Sequence, residues 1–269
     1  MKIVFFDREQ KIYFGDEKLT KEFFNDLHDS KYYGLMMVYH STNMDYLIQC
    51  ARHLDKNHNF KFMIAIRSYA ISPEYCYMIF KSFNNIQKDR VELNLVAGDL
   101  KEYENSLDDI VYIKDSIDTP QKRIKYSGEW LEKFLNIYKR KNETPPKIML
   151  TGDSYEIIEI TKKYADSILM MKNNFETHIS KGTPFNKLEK SVAIPIFVSI
   201  DAEIAVREIL DPASPELLSG IYASFEGSVD KLKSLSSGEF DAFFLTPFIS
   251  SVQQNKNIHN VVKKVMEDL

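Results

Sequence analysis

Residues 61–97 read KFMIAIRSYAISPEYCYMIFKSFNNIQKDRVELNLVA, and the interpretation of this stretch decides the rest. It opens on the apolar run Lys61–Ile66 and closes on another at residues 91–97. Neither alternates between wet and dry positions, which is the mark of strands covered on both faces in a parallel sheet. Between them, Ser72-Pro73-Glu74 supplies a capping hydroxyl, a proline at the first helical position and an acid in the first turn. The segment is therefore a strand, a helix and a second strand. Tyr75, Tyr77, Met78 and Phe80 on the helix read as core and helix–sheet packing.

The same alternation runs to both ends of the chain. Further apolar runs at residues 2–6, 34–39, 147–150, 167–170, 193–200 and 242–245 bring the strands to eight. Thr20 can cap a helix that turns Phe23, Phe24 and Leu27 inward, and Asn43 one that turns Leu47, Ile48, Ala51 and Leu54 inward. Thr119-Pro120 precedes a long helix with the apolar stripe Trp130, Phe134 and Ile137. Asp153-Ser154 opens a helix through Ile157, Ile160 and Tyr164, and residues 173–191 read as a short helix and a turn at 182–184. Eight strands with crossover helices in about 250 residues fit a (β/α)8 barrel of parallel strands better than an open doubly wound sheet. One domain over residues 1–269 is expected, with the long connection at residues 100–119 over the C-terminal mouth.

Bulk properties narrow the function classes. Hydrophobic residues at 44% and charged residues at 28% are ordinary for a globular chain. A net charge of −4 gives no general attraction to nucleic acid. Cys50 and Cys76 form no C-x-x-C pair, which points to a reducing, cytoplasmic setting without a zinc site. The apolar start meets Asp7, Arg8 and Glu9, too soon for a signal peptide or a membrane span. No histidine pair has the H-x-x-x-H spacing, so no metal is expected.

A barrel carries its chemistry just after each strand. That rule selects Asp7 and Arg8; Tyr39, His40 and Ser41; Arg67 and Ser68; Gly98 and Asp99; Met171 and Lys172; Asp201; and Thr246. It also selects Thr151, Gly152, Asp153 and Ser154, a strand-to-helix turn where backbone N–H groups and the helix dipole favour an anion. Capping alone explains Asp153 and Ser154 equally well. His40 suits proton transfer near neutral pH, and Arg67 suits an anionic group or a loop carboxylate such as Asp99. Neither G-x-G-x-x-G nor G-x-x-x-x-G-K-[ST] occurs, so a nucleotide site of those kinds has no support.

Several of these features occur together in one known family. Arg67 closes a strand, Ser72-Pro73 opens the next helix, and Asp89-Arg90 leads a strand to Asn94 and Gly98. Lys122-Arg123-Ile124, Glu129-Trp130-Leu131, Pro145-Pro146 before the Thr151 turn, and Tyr164-Ala165-Asp166-Ser167 follow in order. Over roughly residues 31–171 the chain resembles the bacterial luciferase-like flavin monooxygenases, above all the alkanesulfonate monooxygenase branch, as a short variant. The resemblance implies a (β/α)8 barrel using O2 and reduced FMN delivered by a partner flavin reductase, a small-molecule substrate and a homodimer. It places the flavin against Tyr39, Asn94, Ala97 and Gly98, with its phosphate held by Arg123 and by Thr151, Gly152, Asp153 and Ser154. His40 and Arg67 are then the catalytic candidates.

The departures from that pattern are specific. Asp153 stands in a turn that the family builds as Gly-Gly-Ser-Ser, Ile124 replaces a phosphate-binding tyrosine, and Ala97 replaces a small hydroxyl residue. Pro195 and Phe197 fall where the sulfonate enzymes carry an arginine and a histidine, Asn43 replaces a cysteine, and Phe248 replaces a tyrosine. Each lost hydrogen bond to a charged group costs about 1.5–3 kcal/mol, so weak flavin binding is expected. The rival expectation is a non-catalytic barrel of the same family acting as subunit, partner or small-molecule binder.

Overall fold

The structure, a computed structural model, describes residues 1–7, 16–38, 45–54, 59–97, 117, 119–185, 187–210, 214, 219–236 and 238–269. Strands and helices alternate through them. In order they are β1 (Lys2–Phe5), α1 (Glu17–Asp29), β2 (Gly34–Val38), α2 (Tyr46–Leu54), β3 (Lys61–Ile66) and α3 (Pro73–Ile86). Next come β4 (Val91–Val96), α4 (Pro120–Lys141), β5 (Ile148–Thr151), α5 (Tyr155–Tyr164), β6 (Ser167–Met171) and α6 (Lys172–Ser180). The last are β7 (Glu189–Val198), α7 (Ala202–Arg207), β8 (Ile221–Ala223), α8 (Phe225–Ser236), β9 (Ala242–Pro247) and α9 (Val252–Asp268).

Strands β1 to β7 pair in sequence order, β7 pairs with β9, and β9 returns to β1, every pairing parallel. Eight strands thus close a (β/α)8 barrel. The sequence reading missed a ninth. Ile196 of β7 faces both Ile221 of β8 and Pro247 of β9, so β8 lies on the edge of β7 that β6 occupies lower down. Three residues, IYA, are too short to show a period, which is why the strand was not legible. β7 also begins at Glu189, four residues earlier than expected, because its lower half pairs with β6 from Ser167 upward.

The strand pleat separates the apolar residues into two cores. Phe5, Leu35, Ile64, Leu95, Leu150, Ile168, Ile194 and Leu245 point outward and pack with Phe24, Phe80, Trp130, Phe134 and Val262 of the helices. Val4, Met36, Met63, Met149, Leu169 and Phe244 point inward and fill the barrel. Both faces of each strand are dry, which explains the unbroken apolar runs. Cys50 and Cys76 are buried in the outer core as free thiols, and burial pushes both thiols up. Phe80 packs as expected, but Tyr75 and Met78 are 58% and 59% exposed, on the solvent face of α3.

Two caps differ from expectation. Asp16, not Thr20, caps α1 by accepting from Lys18 and Leu19, and Thr20 bonds back to the Asp16 carbonyl one turn in. Asp45 caps α2 by accepting from Leu47 and Ile48; Asn43 lies outside the described residues. Ser72 and Thr119 cap α3 and α4 as their sequences indicate. Among the described residues, no helix is long and apolar enough to cross a membrane.

Candidate active site at the barrel mouth

Going up the barrel, interior positions come from alternate strands in layers of four. Lys2, Lys61, Lys147 and Glu189 form the lowest layer, where Lys2 and Lys147 reach Glu189 Oε2 at 2.6 and 2.7 Å. Glu92 stands just above, accepting from Tyr33 at 2.5 Å with Lys61 at 3.7 Å. Higher interior positions are buried and mostly apolar: Val4, Met63, Met149, Leu169 and Phe244 are at most 3% exposed, with Ser191 and Asn94 buried among them. Above these, Phe6, Val38, Val96, Thr151, Met171 and Ala193 become half-buried, while Ala65 and Thr246 are buried at 7% exposure. This step from buried to half-exposed side chains is the floor of the C-terminal mouth.

One side of the rim is aromatic. Phe197 faces Tyr222 in the β7–β8 register, and the Tyr222 and Phe248 rings meet edge-on at 5.7 Å. Ala202 and Val206 of α7 pack on this row, together with Leu210. Phe197 is thus an apolar wall where a substrate-binding histidine was the family expectation, and Pro195 is buried one interior position below it. Arg67, the next interior position above Ala65 on β3, is half-buried with its guanidinium 5.9 Å from the Tyr69 ring.

The turn after β5 is the polar corner of the mouth. Thr151 Oγ1 donates to Asn94 Oδ1 at 2.8 Å, and the buried Asn94 amide faces Met36 Sδ at 3.7 Å. Asn94 therefore lies inside the barrel below Thr151, held by it. Gly152 has φ +149, a conformation that favours glycine, and a Cβ there would stand 2.3 Å from Ile157 Cδ1, which would have to turn aside. Ser154 caps α5, accepting from the Ile157 N–H at 3.3 Å. The capping expectation for Asp153 is corrected: its exposed carboxylate accepts from Asn174, and its carbonyl meets His178 Nε2 at 2.7 Å. Asp153 fastens the turn to α6.

Two other expected flavin contacts are placed differently. The Ala97 side chain packs in the outer core with Leu95, so a hydroxyl there would face the helices; only its backbone can border the mouth. Arg123 is 4% exposed in the first turn of α4, where it donates to the Ile117 carbonyl at 2.9 Å. Tyr39, His40 and Gly98 lie outside the described residues, as do Arg8, Ser41, Asp99 and most of the 100–119 connection. Asp7 and Ser68 are structural: Asp7 accepts from Ser250 and Asn255, and Ser68 pairs with Ser127 at 2.8 Å. Lys172 is paired with Glu176. The missed features are the aromatic row and α7, whose only sequence signal was an apolar run continuing past its last barrel partner.

No family model and no curated protein sequence matches the chain. Solved structures do. A long-chain alkane monooxygenase matches with a TM-score of 0.71 at 12% identity, over 100% of this chain and 91% of its own. A riboflavin lyase, solved with modified FMN and riboflavin, gives 0.71 at 10% identity over 100% and 91%. A secondary alcohol dehydrogenase dependent on coenzyme F420 gives 0.69 at 13% identity over 98% of both chains. The likeness is one of fold. It runs over 98–100% of this chain.

Proposed function

We propose that the chain is a flavin-dependent oxidoreductase of the luciferase-like monooxygenase class, taking reduced FMN from a partner reductase and using O2. The observation that carries this reading is the mouth itself: a half-exposed apolar floor of Phe6, Val38, Val96, Met171 and Ala193, closed below by buried, mostly apolar layers. A flat apolar ring system suits such a floor, and exclusion of water is what chemistry on a reactive cofactor requires. A monooxygenase and an FMN-containing riboflavin lyase of matching fold support the reading.

The residues present fit the ring end of FMN better than its phosphate end. Gly152 lets the backbone come close, and Thr151 offers a hydroxyl, yet the Asp153 carboxylate adds a negative charge to the same turn. Weak binding of the reduced form follows. When bound, the flavin would supply the electrons that activate oxygen. This chain's contribution is to bind the ring, keep it dry and orient the substrate. Arg67 is proposed to position an anionic group at the rim, and His40, on sequence grounds alone, to move a proton. Phe197, Tyr222 and Phe248 supply an apolar wall rather than sulfonate ligands, so the alkanesulfonate substrate is set aside.

The Asp153 carboxylate favours one second reading, a non-catalytic barrel that binds a small molecule. Turnover separates the two. Purified protein should oxidise neither NADH nor NADPH alone, and should consume O2 above the background of reductase plus FMN only when both are added with substrate. NADPH oxidation by the chain alone would overturn the proposed electron route. Consumption at background over a broad set of small molecules would favour the non-catalytic barrel.

A further inference from the structure

Three polar atoms inside the barrel have no hydrogen-bond partner among the described residues: Glu92 Oε2, Ser167 Oγ and Ser191 Oγ. Their residues are 3%, 0% and 0% exposed. Strand register shows that all three face the interior, because Glu92 lies beside Met63, Ser167 beside Met149, and Ser191 beside Ala242. They occupy adjacent layers in the lower half of the barrel. An orphaned buried polar group costs about 1–3 kcal/mol, so three on the interior faces of β4, β6 and β7 call for partners.

The side chains there are also unusually small. Barrel layers are ordinarily filled by bulky branched residues, yet Ser191 of β7 pairs with Ala242 of β9, and β6 sets Ser167 two residues below Leu169, the partner of Ser191, so that the three make a stepped arc of small side chains. Glu92 faces that arc from β4. We infer that this arc and Glu92 form an internal hydration site, in which one or more ordered waters bridge Glu92 Oε2 to the Ser167 and Ser191 hydroxyls.

Charge decides the class of ligand. Glu92 Oε2 only accepts hydrogen bonds, which excludes an anion. Lys2, Lys61 and Lys147 beneath it outnumber the carboxylates of Glu92 and Glu189, which opposes a metal ion. Water is neutral, donates to the carboxylate and exchanges either role with the serines. The site lies below the Asn94–Thr151 pair, so polar groups continue from the base of the barrel to the mouth floor.

The test is a crystal structure of the full chain at a resolution that shows ordered water. The expected result is a water about 2.6–3.2 Å from Glu92 Oε2 and from a serine hydroxyl. Direct pairing of the three atoms with protein groups, a dry cavity, or a density with the short contacts of a cation would each overturn the inference. Oxygen-17 relaxation dispersion reads the same site in solution. Ser191→Val should remove at least one long-lived internal water relative to wild type, and an unchanged count would also overturn it. If that variant does not fold, the wild-type crystal structure decides alone.

Discussion

Replacing Gly152 by alanine probes the turn on which the phosphate end of the proposed site depends. Two separable costs are expected. A side chain at φ +149 strains the backbone by about 1–3 kcal/mol. The new Cβ would also lie 2.3 Å from Ile157 Cδ1, while the Ile157 Cγ1 and Cγ2 contacts, both at 3.5 Å, are ordinary. Because Cδ1 is the free end of a flexible side chain, relieving that single overlap costs a further ~1 kcal/mol, the low end of the overpacking range. Gly152→Ala should therefore lose about 2–4 kcal/mol in all. With an unfolding entropy of about 2.1 cal/mol/K per residue, the 269 residues convert this to a Tm about 4–7 °C lower. Valine lacks the Cδ1 atom, so a double-mutant cycle with Ile157→Val isolates the overlap. Ile157→Val alone should cost about 0.5–1.5 kcal/mol, and in its background Gly152→Ala should lose ~1 kcal/mol less than in wild type. Urea denaturation at equilibrium measures all four corners. A neutral Gly152→Ala, or equal costs in both backgrounds, would refute the geometry of the turn.

Two further outcomes follow from particular side chains. Burial lowers His259 to about 3, and its ring is wedged against Phe5 and Phe23 with Nδ1 3.1 Å from the Tyr32 hydroxyl. Because the unfolded chain takes up this proton near pH 6.5 and the folded chain does not, stability should fall as pH drops from about 6.5 towards 3. Between pH 7 and 5 the loss is roughly 2 kcal/mol. His259→Phe should flatten that slope in denaturant titrations, and identical slopes in wild type and variant would count against a neutral buried imidazole. At the mouth, Asp153→Ser removes a negative charge and should tighten FMN by about tenfold in calorimetric titration. Since Ser154 is the cap of α5, Asp153→Ala should change stability by no more than about 0.5 kcal/mol; a weaker FMN affinity in Asp153→Ser would argue against a phosphate in this turn.

The barrel was legible because its signals are local and repeated. Seven of the eight expected strands lie within a residue or two of their apolar runs, and Ser72-Pro73 and Thr119-Pro120 start helices where capping chemistry places them. Caps were less legible: Asp16 rather than Thr20 caps α1 and Asp45 caps α2, because carboxylates just before the first turn reach two N–H groups each. The site was only partly legible for a geometric reason. Sequence order places Ala97 beside Gly98, but strand parity turns its side chain to the helices. Arg123 reads as a ligand because of its charge, yet its helical phase buries it against Ile117. The aromatic row of Phe197, Tyr222 and Phe248 joins residues of two strands, one only three residues long, with the residue just after a third, and no local pattern announces it.

Anaerobic titration with FMN tests the central claim most directly, with flavin fluorescence for the oxidised form and calorimetry for the dithionite-reduced form. The account predicts saturable, one-to-one binding, tighter for reduced than for oxidised FMN, and weakened when Val96→Asp puts a charge on the apolar floor. Absence of binding by either form, in protein shown to be folded, would contradict it.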